Sequence, residues 1–157
     1  DSTLDAVRRL SSRLRPALLD DLGLEAAVEW YMQDYAGRTN CKYTLRTNAG
    51  QLDINQDRDT ALFRIFQEAL TNIARHADAS QVIVDLSSVD GQLLLTVSDD
   101  GCGISHEAIA STGSLGLIGM RQRARAIGGH VRVQPRRTGG TRVEVVVPLA
   151  KPTEEKP

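Results

Sequence analysis

Residues 81–103 run QVIVDLSSVDGQLLLTVSDDGCG, two apolar segments about a turn followed by a glycine-containing loop. Two segments rich in Val, Ile and Leu, Gln81 to Val89 and Leu93 to Ser98, flank Asp90-Gly91. Asp-Gly supplies the two left-handed positions of a tight turn, so the segments read as an antiparallel hairpin. The strand pattern then breaks at Asp99-Asp100-Gly101-Cys102-Gly103, a loop directly after a hydrophobic strand.

Upstream, Leu62, Ile65, Phe66, Ala69, Leu70 and Ile73 fall on one arc at about 100° per residue, which predicts a helix from Ala61 to Arg75 with Asp57 or Asp59 as its cap. Before it, Lys42 to Arg46 and Gln51 to Ile54 read as short strands about an Asn-Ala-Gly turn. Near the start, the stripe Leu4, Val7, Leu10 and Leu14 predicts one amphipathic helix. Leu18, Leu22, Val28, Tyr31, Met32 and Tyr35 predict a second, interrupted near Gly23, with Trp30 and Tyr31 as packing residues.

Downstream of the hairpin, a short helix is expected near Ser105, a loop over Ser111 to Gly116 and a helix from Leu117 to Ile127 that Gly128-Gly129 ends. Val131 to Gln134 and Arg142 to Val147 form a last strand pair about Arg136-Arg137-Thr138-Gly139-Gly140. The charged tail Lys151 to Pro157 is expected to fray. Strands grouped with helices in this order give a two-layer α/β sandwich: a mixed, largely antiparallel sheet covered on one face by helices, with an N-terminal helical segment. Alternating βαβ units are not evident, which argues against a doubly wound dinucleotide fold.

The 157 residues suffice for one domain, and 41% hydrophobic with 25% charged residues excludes a disordered chain. A net charge of -1 removes the global attraction of a general nucleic-acid binder. Two cysteines, Cys41 and Cys102, read as free thiols of a reducing compartment, and cytoplasmic residence is expected. No apolar run reaches the roughly 18 residues of a membrane span. The chain begins without Met, which suggests a piece of a longer protein.

Chemistry can reside in four places. Glu68 and Asn72 are four residues apart and His76 four further, so a carboxylate, an amide oxygen and a basic end share one helix side. Asn72 can offer Mg²⁺ a neutral oxygen, Glu68 can orient or deprotonate a hydroxyl or water, and Arg75 or His76 can approach phosphate; the same spacing describes an exposed polar stripe. Asp99-x-Gly101-x-Gly103 can present a carboxylate to an exocyclic amine while its glycines admit a ring close to backbone, or can be an ordinary turn. Gly113, Gly116 and Gly119 surround a helix start whose free N-H groups suit phosphate, or form a flexible loop; Arg121, Arg123 and Arg125 follow on more than one side. Gly139-Gly140-Thr141 is a hairpin turn or places Thr141 toward phosphate. His106 and His130 read as surface residues, and no zinc-ligand spacing or nucleophile elbow appears.

The order Glu68-x-x-x-Asn72, Asp99-x-Gly101-x-Gly103, Gly116-Leu117 and Gly140-Thr141 resembles the ATP-binding domain of bacterial sensor histidine kinases, within the Bergerat-type fold shared with gyrase and MutL. The likeness covers about Leu52 to Pro148, and Gly116 to Ala124 is similar to the subgroup of nitrate/nitrite sensors. The resemblance implies ATP and Mg²⁺ as cofactors, Asn72 as the metal ligand, Asp99 as the adenine-recognising residue and Gly101, Gly103, Gly116 and Leu117 around the nucleotide. It makes Glu68 the catalytic base or polarising residue and sets Arg75, His76 and Thr141 near the phosphates. Ser114 stands where the family's lid often has a glycine.

Leu14-Arg15-Pro16 and Leu18 to Leu24 look like the end of a dimerisation and phosphoacceptor domain. The division implied is 1–35 for that remnant and linker, 36–150 for the ATP-binding domain and 151–157 for the tail. No phosphoacceptor-histidine motif occurs in these residues. The expected partners are the missing phosphoacceptor helix and sensor domain, a response regulator and a second copy in the full-length protein, which is soluble or anchored in the inner membrane. Competing readings are an ATP-binding regulatory or interaction module and an anti-sigma-type serine kinase.

Overall fold

The computed structural model describes residues 3, 17–50, 52, 53, 55–103 and 115–149. The expectations for a helix over 4–14, a helix near Ser105, His106, the loop with Gly113 and Ser114, and the tail fall outside them. Helices α1 (Ala17–Leu22) and α2 (Leu24–Thr39) lead into strand β1 (Lys42–Asn48). Helix α3 (Gln56–Asn72) continues as a π-helical turn over Ile73–Ala77. Strands β2 (Gln81–Val89) and β3 (Gln92–Asp99), helix α4 (Leu115–Ala126), and strands β4 (His130–Pro135) and β5 (Thr141–Pro148) follow.

Among the described residues the strands form one sheet in the order β1-β2-β3-β5-β4. The β2–β3 hairpin is as the sequence predicts: Val89 faces Gln92 across Asp90 and Gly91, whose φ angles of 52° and 74° are both left-handed. The β3–β5 and β4–β5 pairs are also antiparallel. β1, however, pairs with β2 in parallel, Lys42 opposite Gln81 and Asn48 opposite Ser87. A βαβ unit is therefore present where none was evident, because α3 carries the chain back before β2 begins.

The second strand expected over Gln51 to Ile54 is not formed at Leu52 and Asp53. This segment builds a helix start instead. Asn55 caps α3 by accepting the Arg58 N-H at 3.0 Å, and the Asp59 carboxylate accepts the Asn55 N-H at 3.2 Å. The cap is thus Asn55, with Asp59 returning the bond, in the manner of a capping box. Arg58, buried beside Asp59, also donates to the Asp53 carbonyl at 2.5 Å.

Alternation along the strands separates two faces. Val82, Val84, Leu86, Leu93, Leu95, Val97, Val143, Val145 and Val147 are buried on the face that meets the helices. On the other, Arg46 makes two hydrogen bonds to Asp85, at 2.6 and 3.0 Å. The core continues into α1 and α2 through Leu19, Val28 and Met32, each fully buried. Tyr31 packs edge-on to Phe63 and Phe66 of α3, with ring centroids 5.8 and 5.5 Å away. Trp30, expected to pack with Tyr31, is 49% exposed, since adjacent helical residues point about 100° apart and only one can face this core. Gly23, at φ 90°, separates α1 from α2 and leaves Leu22 exposed.

Candidate nucleotide site

The period of two that buries Leu93, Leu95 and Val97 also carries Asp99 onto the helix-facing side of β3. In the same way Val143, Val145 and Val147 carry Thr141 onto that side of β5. Both line a cavity of about 290 Å³ between sheet and helices. Val97, Val133 and Val143 give it an apolar floor; Ala69, Asn72 and Ile73 of α3, His76 and Ala77 of the π turn, and Leu117 and Met120 of α4 enclose it, with Gly103 at one side. An apolar slot holding one carboxylate is suited to a flat heterocycle with an amine edge, and the volume lies near the lower end of the roughly 300–1,000 Å³ of small-molecule sites.

Asp99 is only 2% exposed. Its Oδ1 accepts the Gly101 N-H at 2.8 Å, and the Thr141 backbone N-H also bonds to the carboxylate. Burial pushes the Asp99 pKa above the usual carboxylate value; the two N-H groups and the positive charge of Arg136 oppose that push, while Asp100 adds to it. Asp100 points the other way. Its carboxylate accepts the Ser80 hydroxyl at 2.6 Å and the N-H groups of Ser80 and Gln81 at 2.8 and 2.9 Å, bonds that hold its pKa below the usual range.

The loop after Asp99 is clamped on both sides. A Cβ on Gly101 would collide with the Ala77 carbonyl, and one on Gly140 with the Asp99 carbonyl. Gly101 therefore admits the π turn, and Gly140, at φ 88°, admits the β4–β5 hairpin. Cys102 completes the clamp, its N-H donating to the Ala77 carbonyl at 2.8 Å and its thiol to the His76 carbonyl at 3.0 Å. Cys102 and Cys41 are both free thiols, as the sequence suggests.

Six of the residues singled out by sequence, Asn72, His76, Asp99, Gly103, Leu117 and Thr141, line this single cavity. Glu68 and Gly116 adjoin it: a Cβ on Gly116 would overlap the Glu68 carboxylate and lie 3.6 Å from Asn72 Nδ2. Gly101 stands behind the cavity against Ala77, and Arg75 is exposed on the π turn and is not in the lining. The structure adds a residue that sequence reasoning passed over. Arg136, read there only as part of a turn, donates from Nη1 to the Asp99 backbone carbonyl at 2.6 Å.

Residues 57–151 match the family described as histidine kinase-, DNA gyrase B-, and HSP90-like ATPases. The chain belongs to this family. It is 35% identical over 143 residues to the sensor histidine kinase MctS of Rhizobium johnstonii, covering 90% of this chain and 31% of that protein. The chain thus spans about a third of this relative. The histidine kinase domain of a blue-light activated histidine kinase from Erythrobacter litoralis superposes with a TM-score of 0.67 at 26% identity, over 80% of this chain and 61% of that one. The ATP binding domain of PrrB from Mycobacterium tuberculosis superposes with a TM-score of 0.64 over 82% of this chain and 92% of that one; at 19% identity it shows the shared fold. The mixed sheet under one helical layer is the Bergerat sandwich of this ATPase family. Among the described residues no helix is long and apolar enough to cross a membrane.

Proposed function

We propose that this domain binds Mg²⁺-ATP and, within a longer sensor kinase, directs the γ-phosphoryl group to a histidine for relay to a response-regulator aspartate. The observation that carries the reading is the buried Asp99 carboxylate at the floor of an apolar cavity with Asn72 in its wall and Glu68 beside Asn72. Asp99 accepts the adenine amine, and the apolar side chains around it hold the base and exclude water. Asn72 offers its amide oxygen to Mg²⁺. Gly101 lets the loop close on the π turn behind the cavity, Gly103 lets it approach the nucleotide, and the N-H groups of Gly116 and Leu117 at the start of α4 face phosphate. Arg75 serves the phosphate end; Thr141, expected there as well, instead bonds the Asp99 carboxylate through its backbone N-H and so belongs to the base end, and His76 lines the cavity with Asp99.

Bound Mg²⁺-ATP supplies the electrophilic phosphorus and the leaving group. Glu68 polarises the incoming imidazole and is kept near Asn72 by the space that Gly116 leaves. The proposed organisation assigns 1–35 to the end of the phosphoacceptor domain and its linker, 36–150 to ATP binding and 151–157 to a tail. The recipient histidine, the sensor domain, the second copy and the response regulator lie outside these residues. The Gly116 to Ala124 segment supports a place near the nitrate/nitrite-sensor subgroup.

Calorimetric titration with ATP, with and without Mg²⁺, tests the binding step, and a phosphoacceptor helix supplied in trans tests transfer. Saturable Mg²⁺-dependent binding that Asp99→Asn weakens, and phosphorylation of the supplied helix that Glu68→Gln reduces at unchanged ATP affinity, are expected. A folded chain that binds no nucleotide overturns the reading, and loss of affinity with normal transfer in Glu68→Gln overturns that residue's role.

A further inference from the structure

The base-recognising end of the proposed site depends on a side chain from outside the loop. The Arg136 main chain is fixed first: its N-H donates to the Gly140 carbonyl at 2.9 Å, and its carbonyl accepts the Gly139 N-H at 3.2 Å, closing the β4–β5 turn. From that anchor the half-buried guanidinium crosses to the end of β3 and meets the Asp99 carbonyl, 37 residues away in sequence. The same carbonyl is the atom against which Gly140 packs without room for a Cβ. Asp99 is thus gripped through its main chain by the β4–β5 hairpin, and through its side chain by the N-H groups of Gly101 and Thr141.

We infer that Arg136 is a positioning residue for nucleotide binding: its charge-assisted bond to the Asp99 carbonyl, made from the closed β4–β5 turn, aims the Asp99 carboxylate into the cavity. The inference rests on the reading of Asp99 as the base acceptor. A bond from a charged donor is stronger than one from a neutral donor, and it places a cation beside a carboxylate that burial works to neutralise. The other groups facing Asp99 do not replace it. Asp100 repels, the buried Cys41 and Tyr35, whose pKa values burial raises, supply no positive charge, and His76 lines the same cavity.

The test uses Arg136→Gln, Arg136→Lys and, as control, Arg137→Gln, which removes the same charge from an exposed position of the same hairpin. ATP and ADP are titrated from neutral to acid pH. In Arg136→Gln, affinity for both nucleotides falls by about tenfold, the same factor for each, and the acid loss of binding sets in at higher pH than in Arg137→Gln. Arg136→Lys restores the position of that acid limb. Equal behaviour of Arg136→Gln and Arg137→Gln overturns the inference, as does a larger loss for ATP than for ADP, which would make Arg136 a phosphate contact. If Arg136→Gln does not fold, Arg136→Met is read in its place against Arg137→Gln: an equal loss for ATP and ADP beyond that of the control supports the inference, and behaviour like the control overturns it. Should Asp99→Asn bind ATP as wild type does, the underlying site reading fails; should it lose binding while the Arg136 variants behave as the control, only the role of Arg136 fails.

Discussion

Gly116 lies against the Glu68 carboxylate so closely that a methyl group on it would occupy the place of Glu68 Oε1. The atom in the way is the end of a flexible side chain, which can swing aside. Gly116→Ala should therefore leave stability within about 1 kcal/mol, since alanine is the better helix former. Phosphoryl transfer to a supplied histidine helix should fall at least about tenfold, because a displaced Glu68 loses its alignment. Thermal denaturation and a transfer assay check both halves, and unchanged transfer would show that Glu68 does not need this position.

Gly140→Ala meets the opposite situation. Its methyl would strike the backbone carbonyl of Asp99 at a left-handed φ of 88°, and neither can move freely. Strain of roughly 1–2 kcal/mol for the backbone and 1–3 kcal/mol for overpacking is expected, with loss of ATP binding. Denaturant melts giving wild-type stability would contradict the packing described for this hairpin.

Asp99→Asn should separate stability from binding. A carboxyl whose folded pKa is raised contributes stability that is complete below its unfolded value of 3.8 and lost as pH rises through the folded one. At neutral pH the ionised Asp99 thus weighs against the fold, and Asn relieves that cost while keeping one acceptor oxygen. The melting temperature without ligand should be unchanged or higher, and ATP affinity lower by about ten- to a hundredfold. Melts at neutral and acid pH should show the difference between the two proteins shrinking as pH falls through the Asp99 pKa. A large drop in melting temperature at neutral pH would contradict this.

At the alkaline end, where burial also raises the pKa values of Tyr31 and Cys41, the largest contribution comes from Tyr35, a buried residue of α2 whose pKa burial pushes up to about 12 from 10.0. Its stability contribution is complete below 10.0 and lost as pH rises through about 12. Denaturant melts across that window should show a decline that Tyr35→Phe reduces, and an unchanged decline would show that Tyr35 does not contribute.

Tyr31→Ala should cost about 3–5 kcal/mol, because it empties the edge-on contact with Phe63 and Phe66. It tests whether α2 and α3 unfold together. Trp30, on the exposed side of α2, reports that helix by fluorescence. Its transition should coincide with the loss of circular dichroism, and two separate transitions would show α2 to be an independent unit.

Elements held by local chemistry were legible in the sequence, and those set by distant contacts were not. The β2–β3 hairpin follows from Asp90-Gly91, and the end of α4 from Gly128-Gly129, where the Gly129 N-H reaches the Ala124 carbonyl at 2.8 Å and Gly128 takes φ 77°. The parallel partner of β1 has no local signature, since pairing of that kind is settled only once α3 has packed. The π turn at Ile73–Ala77 is similarly invisible: its periodicity matches a helix end, and the structure shows the Asp99 loop fastened to its carbonyls at His76 and Ala77. Within the site, Asn72, Asp99 and Thr141 could be found because strand and helix periods place them. Arg136 could not, because an arginine in a turn carries no sign of the carbonyl it will meet.

Asp99 is also the last residue of β3 to pair across the sheet, opposite Val82. The group proposed to meet the base is thus a rung of the central ladder and not a detachable loop, and opening the site from that side means fraying the sheet itself. Nucleotide capture is thereby tied to global unfolding: a ligand at a hundred times its dissociation constant should slow amide exchange throughout the sheet, by a margin approaching the roughly 2.7 kcal/mol that mass action allows.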